Sequence, residues 1–357
     1  MDVAVLGATG DVGRQVCTQL VERALLPTSS RLQLVGREDG PSARATHGLR
    51  ADLIDAYDEH APILDVALTP QDVVADVVVV AAGRTHPSDG ASGDRAELAA
   101  GNHAVLRAYA DALEKHGSGS EVVIVVTNPV ELGVAVFAER LGRQRVIGMG
   151  AWLDTLRFRR EVATSLGVRR HGVAGFVGGE HGTGAVPLWS SVRVTGLQRD
   201  ERERAVARVR GERSLDDFPA EIAAAHARLG ELDIEEGYRF VETLPPDLRV
   251  VVRPYLTHRS GAKTAAGTAS ATIDLVDTIL DGRDIVVAGQ VALDGEVSLA
   301  GEPVRGVLGV PVVLGPEGWT RVLLDALAPD EERRLAGVAA SITARLAPWF
   351  GSRDPEA

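Results

Sequence analysis

Over the first 150 positions, short unbroken apolar runs alternate with stretches whose apolar residues recur at helical spacing. Val3-Ala4-Val5-Leu6, Arg31-Leu32-Gln33-Leu34-Val35, Val77–Ala82, Val122–Val126 and Arg145-Val146-Ile147 read as strands. The stretches ending near Val21, at Arg95–Lys115 and at Glu131–Leu141 read as helices. Strand and helix in alternation predict a doubly wound parallel sheet with ligands at the carboxyl ends of its strands. From Ala151 the pattern changes. A long helix is followed by antiparallel-looking strands at Gly172–Val177, Ser191–Val194, Ile285–Leu293 and Val304–Leu314, a helix near Thr264–Leu280 and a last helix from about Pro329 to Trp349. The expected organisation is an α/β domain over residues 1–150, an α+β domain over 151–350 and a frayed tail, 351–357. Within the second domain the segment 198–258 is enlarged. It carries the mixed charge run Arg199–Arg204, which suits a solvated helix face. It also has a turn at Leu244-Pro245-Pro246-Asp247 and a strand-like Val250-Val251-Val252.

Between the first strand and the first helix lies Gly7-Ala8-Thr9-Gly10-Asp11-Val12-Gly13. A glycine turn there lets backbone N–H groups and the helix N-terminus meet a pyrophosphate, so residues 1–150 read as a Rossmann-type dinucleotide-binding domain. Gly7, Thr9, Gly10, Asp11, Val12 and Gly13 are the candidate phosphate contacts. The second strand ends in Gly36-Arg37-Glu38, where an NAD site places an acidic residue for the ribose 2′-hydroxyl. A glycine and a guanidinium at Gly36 and Arg37 favour the 2′-phosphate of NADP(H), with NAD(H) still possible.

Further along, Val177-Gly178-Gly179-Glu180-His181-Gly182 stands 27 residues after Asp154 and 24 after Arg157. Histidine titrates near neutrality, and a carboxylate on one ring nitrogen fixes its tautomer. Asp154 and Arg157, three apart on a helix beginning near Trp152, face the same way. Arg157 can grip a substrate carboxylate in a two-bonded fork. A proton relay, its orienting carboxylate and an anion clamp suit reduction of a 2-keto acid. Each alone reads as a structural histidine or a surface ion pair; their combination behind a nucleotide-binding half gives them meaning.

Composition narrows the partners. A formal charge of −12 argues against nucleic acid. The single cysteine, Cys17, rules out an intramolecular disulfide and a thiolate zinc cluster, and no metal is expected. With no signal peptide or membrane-spanning apolar run in view, the expected location is cytoplasmic.

The chain resembles the malate/lactate dehydrogenase family, most closely the archaeal-type malate dehydrogenases that accept NADP(H). The resemblance rests on the glycine loop, Gly36-Arg37-Glu38, Ala82-Gly83, Thr127-Asn128-Pro129-Val130 and Leu153-Asp154-x-x-Arg157-Phe158. It continues through Gly179-Glu180-His181-Gly182, Val186-Pro187-Leu188-Trp189-Ser190 and Gly309-Val310-Pro311-Val312. It implies that His181 is the acid/base, Asp154 its partner, Arg157 the clamp on the C1 carboxylate and Arg95 the arginine that polarises the carbonyl. Asn128 would contact the substrate oxygen, ahead of a cis bond to Pro129. Ala82, Gly83, Asn102 and Thr127 would lie on the cofactor side. Homodimers or homotetramers are expected on the same ground.

Two departures bear on the substrate. The recognition loop is three residues longer than in the family and puts His86 where an arginine pairs with the far carboxylate, with Arg84 as a possible substitute. Lys263, one of two lysines against 36 arginines, replaces a small-residue helix start and could meet a distal anionic group or simply be solvated. The expected function is an NAD(P)-dependent oxidoreductase acting on a small, anionic 2-keto or 2-hydroxy acid, malate dehydrogenase-like. The alternatives are a dinucleotide-binding sensor or assembly protein that has lost the reaction, and an NAD-dependent glycosidase. The glycosidase needs a Cys- and His-held metal, for which Cys17 is badly placed.

Overall fold

The computed structural model describes residues 1–84 and 95–350, with backbone alone for 95–97. The chain forms two compact units. One comprises Met1–Met149, Lys263–Val286 and Val313–Arg321; the other comprises Gly150–Ala262, Val287–Val312 and the chain from Val322 onward. The first unit thus takes back two later segments that a linear division at residue 150 assigns to the second.

The first unit runs β1 (Val3–Leu6), α1 (Asp11–Glu22), β2 (Arg31–Val35), α2 (Pro41–Tyr57), β3 (Ile63–Ala67), β4 (Val77–Val80), α3 (Arg95–His116), β5 (Val122–Val125), α4 (Val130–Leu141) and β6 (Val146–Gly148). These strands lie in the order β3-β2-β1-β4-β5-β6, all parallel. That is the doubly wound sheet read from the alternation. All four valines of β4 are fully buried, as expected for a strand covered on both faces. The sequence reading placed no element at α2 or β3. Ile63–Ala67 borders the sheet on one side only and is partly exposed, so it shows no clean apolar run.

The turn after β1 is pinned to β2, whose Val35 carbonyl accepts the N–H groups of Gly7 at 2.9 Å and Ala8 at 3.1 Å. α1 buries Val16, Cys17, Leu20 and Val21, so its N-terminus stays over the carboxyl end of β1. A side chain at Gly13 would overlap the Gly7 carbonyl. Only a glycine lets this helix approach so closely.

The second unit begins with α5 (Gly150–Leu166), β7 (Val173–Gly179) and β8 (Ala185–Val194). β7 and β8 form an antiparallel hairpin. The enlarged segment folds as four helices: α6 (Arg199–Arg210), α7 (Phe218–Glu231), α8 (Ile234–Thr243) and α9 (Pro246–Arg259). The charge run is indeed helical. Val250–Val252, however, is helix rather than strand. Pro246 stands in the first turn of α9, where its missing N–H costs nothing. Val252 and Leu256, one turn apart, pack with Ala225 and Leu229 of α7 and Val241 of α8. The helical partners, not the local preference of three valines, decide the outcome. α9 is fastened to α5 by Arg249 and Arg253, which reach the buried Glu161 at 3.1 and 3.5 Å.

The remaining elements are α10 (Ala265–Asp281) in the first unit, then β9 (Ile285–Leu299), β10 (Glu302–Gly315), β11 (Gly318–Val322) and α11 (Pro329–Leu346). Gly309 of β10 pairs with Gly179 at the end of β7.

Gly13→Ala should lower stability by about 1–3 kcal/mol through overpacking, read as a fall in the urea midpoint. An unchanged midpoint would show that the turn is not held this tightly.

Candidate active site

Asp154 lies in the first half of α5 and is 2 % exposed. Both of its oxygens are engaged. Oδ2 stands 2.8 Å from His181 Nδ1 and accepts a longer bond, 3.4 Å, from the Gly182 N–H; Oδ1 accepts from Arg157 Nη1 at 3.1 Å. Burial by itself pushes a carboxyl upward, but His181, Arg157 and the Gly182 N–H outweigh it and hold Asp154 below the usual carboxylate range. Burial is also the main reason that the Arg157 guanidinium is lowered, with Asp154 acting against it. The three residues expected to act together do meet.

The second unit builds this contact from its backbone outward. Next to Asp154, the Thr155 hydroxyl accepts the Val177 N–H at 2.9 Å, tying α5 to β7 at the point from which the His181 turn departs. The turn is closed by Glu180 N–H to Gly184 O and Ala185 N–H to Gly182 O, both 3.1 Å. His181 then lies over Gly150, where an added Cβ would come within 2.6 Å of the histidine Cβ. The Ala151 N–H donates to Gln290 Oε1 at 3.0 Å, giving the start of α5 a buried partner. Phe158 meets Trp189 edge to face at 5.0 Å and packs α5 against β8. Thr155, Gly150 and Gln290 escaped the sequence reading. Thr155 carried a signal, a hydroxyl directly after the candidate carboxylate on the same helix; Gln290, 136 positions from Asp154, carried none. His258 on α9 was also missed. Burial, with Arg157 and His181 in electrostatic reach, holds its imidazole below the ordinary value.

In the first unit, the candidate cofactor residues gather at the carboxyl ends of β1, β2, β4 and β5. Thr9, Gly10, Asp11 and Val12 form an accessible tip, while Gly13 is buried beneath it. The α1 N-terminus has no side-chain cap, so its first-turn N–H groups suit a phosphate. Gly36 directly follows β2, with Arg37 exposed beside it. Thr127 donates its hydroxyl to Val80 O and Ala82 O at 3.0 and 2.8 Å, joining the ends of β5 and β4.

Asn102 is fully buried, and its amide is spent on backbone. Its oxygen accepts the Arg84 N–H at 2.6 Å; its nitrogen donates to Arg84 O and Asn128 O at 3.1 and 2.7 Å. In this structure it braces Arg84 and the exposed Asn128 rather than presenting an amide to a ligand. The bond from Asn128 to Pro129 is cis. The Arg84 side chain passes over Gly101. Gly83 is exposed and Ala82 half-buried. Lys263, read either as a cation for a distal group or as a solvated residue, is ion-paired with Asp11. His86 lies outside the described residues, as does the side chain of Arg95, which opens α3.

Residues 1–148 match the family described as lactate/malate dehydrogenase, NAD binding domain. Over nearly the whole chain, the protein is 29 % identical to a malate dehydrogenase of Halobacterium salinarum, covering 96 % of this chain and 97 % of that one. Residues 1–148 thus carry the NAD-binding domain of the lactate/malate dehydrogenase family. Another relative, an L-2-hydroxycarboxylate dehydrogenase (NAD(P)(+)) of Methanocaldococcus jannaschii, is 27 % identical with 93 % of each chain covered. Among solved structures, a lactate dehydrogenase of Cryptosporidium parvum complexed with lactic acid and nicotinamide adenine dinucleotide superposes with a TM-score of 0.73 at 21 % identity, covering 98 % of both chains. The malate dehydrogenase of Aeropyrum pernix gives 0.72, also at 21 % and 98 %.

The Asp154 cluster has a pH signature. The folded value of Asp154 is depressed, so its ionised form adds stability above the ordinary carboxylate range, near pH 4, and that stability is lost as pH falls through the folded value. Asp154→Asn should cost about 3 kcal/mol or more at neutral pH, because Arg157 is left buried without its counter-ion. Its stability should also fall less than the parent's below about pH 4. Urea unfolding of both proteins across that range checks this; parallel acid limbs would contradict it.

Proposed function

We propose that this chain is an NAD(P)-dependent 2-hydroxyacid dehydrogenase of malate-dehydrogenase type. One observation carries the reading: a single buried carboxylate joins the His181 ring to the Arg157 guanidinium. When bound, a nicotinamide dinucleotide would supply the hydride for C2 of the keto acid. His181 supplies the proton. With Nδ1–H directed at Asp154, the opposite ring nitrogen passes its proton to the carbonyl oxygen during reduction and takes it back during oxidation. Asp154 steadies the charged imidazolium when His181 is protonated. Arg157 keeps an N–H pair for the C1 carboxylate beyond the one bond it gives Asp154. Arg95 and Asn128 are extended the same roles as in the family, on resemblance alone.

Two features of the first unit support NADP(H) over NAD(H). A side chain at Gly36 would run into the Thr46 hydroxyl, with Ser42 Oγ 3.3 Å away, so the acidic residue that reads a 2′-hydroxyl has no room there. Arg37 follows, its N–H held by Ser42 Oγ at 3.1 Å, at the head of α2, whose first turn contains no acid. A guanidinium and a helix N-terminus both favour a phosphate. The crowding also means that Gly36→Asp alone would distort α2 instead of restoring an NAD site.

The substrate we propose is a small 2-keto acid with an anionic tail, and a homo-oligomer is the proposed assembly. No helix among the described residues is long and apolar enough to cross a membrane. No group of His, Cys, Asp and Glu among them could hold a metal ion. The sensor alternative has no observation in its favour.

His181→Ala should lower kcat for oxaloacetate reduction by about 10²–10⁴-fold while NADPH binding persists; turnover within tenfold of the parent removes His181 from the mechanism. Arg37→Ala should reduce the ratio of kcat/KM for NADPH over NADH by about tenfold or more, the worth of a charge-assisted bond. A ratio that does not move would leave the ribose end unread by Arg37.

A further inference from the structure

Lys263 was a candidate for the substrate's tail, but its place in the fold points elsewhere. It belongs to the first unit and precedes α10, which lies alongside α1. The two helices run in the same direction. Lys263 pairs with Asp11, Ala266 O accepts from Gln19 Nε2 at 3.5 Å, and Ser270 Oγ accepts from Arg23 Nη2 at 3.2 Å, so contacts advance along both helices together. Parallel neighbours bring their N-termini to the same end. Neither N-terminus has a side-chain cap, and the first turn of α10 contains no acid. The first turn of α1 contains one, Asp11, at the glycine loop where the family's dinucleotide phosphates are expected.

Resting on the cofactor reading above, we propose that Lys263 is a cofactor-binding residue, its ammonium supplying a cation to the dinucleotide pyrophosphate with Asp11 as its tether. A carboxylate at the head of α1 would repel a pyrophosphate, and the lysine offsets it. The tether is weak by design. Asp11 and Lys263 side chains are 58 % and 46 % exposed, and ion pairs this open contribute little to stability, so a more highly charged anion can compete for the ammonium. Lysine suits that role better than the arginines that make up nearly all other cations here. Its charge is compact, and its flexible stem carries three rotatable donors.

The test is binding of dinucleotide to the full-length protein without keto acid, read by nicotinamide fluorescence at low ionic strength. Lys263→Met should weaken NADPH and NADH by the same factor, about fivefold or more, because the pyrophosphate is common to both. The deficit should shrink at about 0.5 M salt as screening sets in. Asp11→Asn should tighten both, which keeps the test decisive if Lys263→Met folds poorly. The KM for oxaloacetate at saturating cofactor should stay within twofold. Unchanged affinities, a loss confined to NADPH, weaker binding by Asp11→Asn, or a change confined to the keto-acid KM would each overturn the proposal. If the parent protein bound neither dinucleotide, the cofactor reading itself would fall, and this inference with it.

Discussion

Everything distinctive in the second unit depends on one carboxylate kept ionised inside the protein. Removing a charge from water costs several kcal/mol, and Asp154 is almost completely enclosed. The cost is met by an imidazole on one oxygen, a guanidinium on the other and a backbone N–H at the turn. Each partner must therefore be placed with little freedom, and the surroundings supply that. Thr155 ties the helix to β7, Gly150 lets the His181 ring settle on the helix start, and Gln290 takes up the Ala151 N–H. In the reaction proposed above, binding and acid–base chemistry are coupled in the same step, because Asp154 orients both His181 and Arg157. Glu161, buried lower on α5 and held by Arg249 and Arg253, extends this order to the enlarged helical segment. That segment lies against the element that carries the site.

The first unit works by a different principle, backbone placed within reach and side chains kept out of the way. Gly13 admits the helix, Thr127 and Asn102 join strand ends, and Gly36 leaves its room to Thr46. In the proposed preference for NADP(H), specificity comes as much from what cannot fit as from what binds. Arg37 becomes informative chiefly because its neighbour cannot carry a carboxylate.

The parallel sheet was legible because strands buried on both faces must be apolar throughout, as Val77–Val80 and Val122–Val125 are. So was the meeting of His181, Asp154 and Arg157, since an i, i+3 pair and a histidine turn have few other uses in combination. What was hidden depended on distant packing. Val250–Val252 has the composition of a strand, yet partners on α7 and α8 hold it as helix. Neither reading of Lys263, a cation for a distal group or a solvated residue, foresaw its pairing with Asp11, because the sequence does not reveal that α10 returns beside α1. Asn102 read as a ligand contact, whereas its buried amide braces two backbone segments. Thr46 carried no signal, since its effect is felt only where β2 ends.

The central claim is that Asp154 fixes the hydrogen of the neutral His181 ring on Nδ1, leaving Nε2 for proton transfer. Nitrogen NMR of histidine-labelled protein reads this directly, with the His181 signals assigned by their loss in His181→Gln. The account predicts an Nδ1–H tautomer above the ring's titration. An Nε2–H tautomer would contradict it, since the nitrogen facing Asp154 would then carry no hydrogen to share.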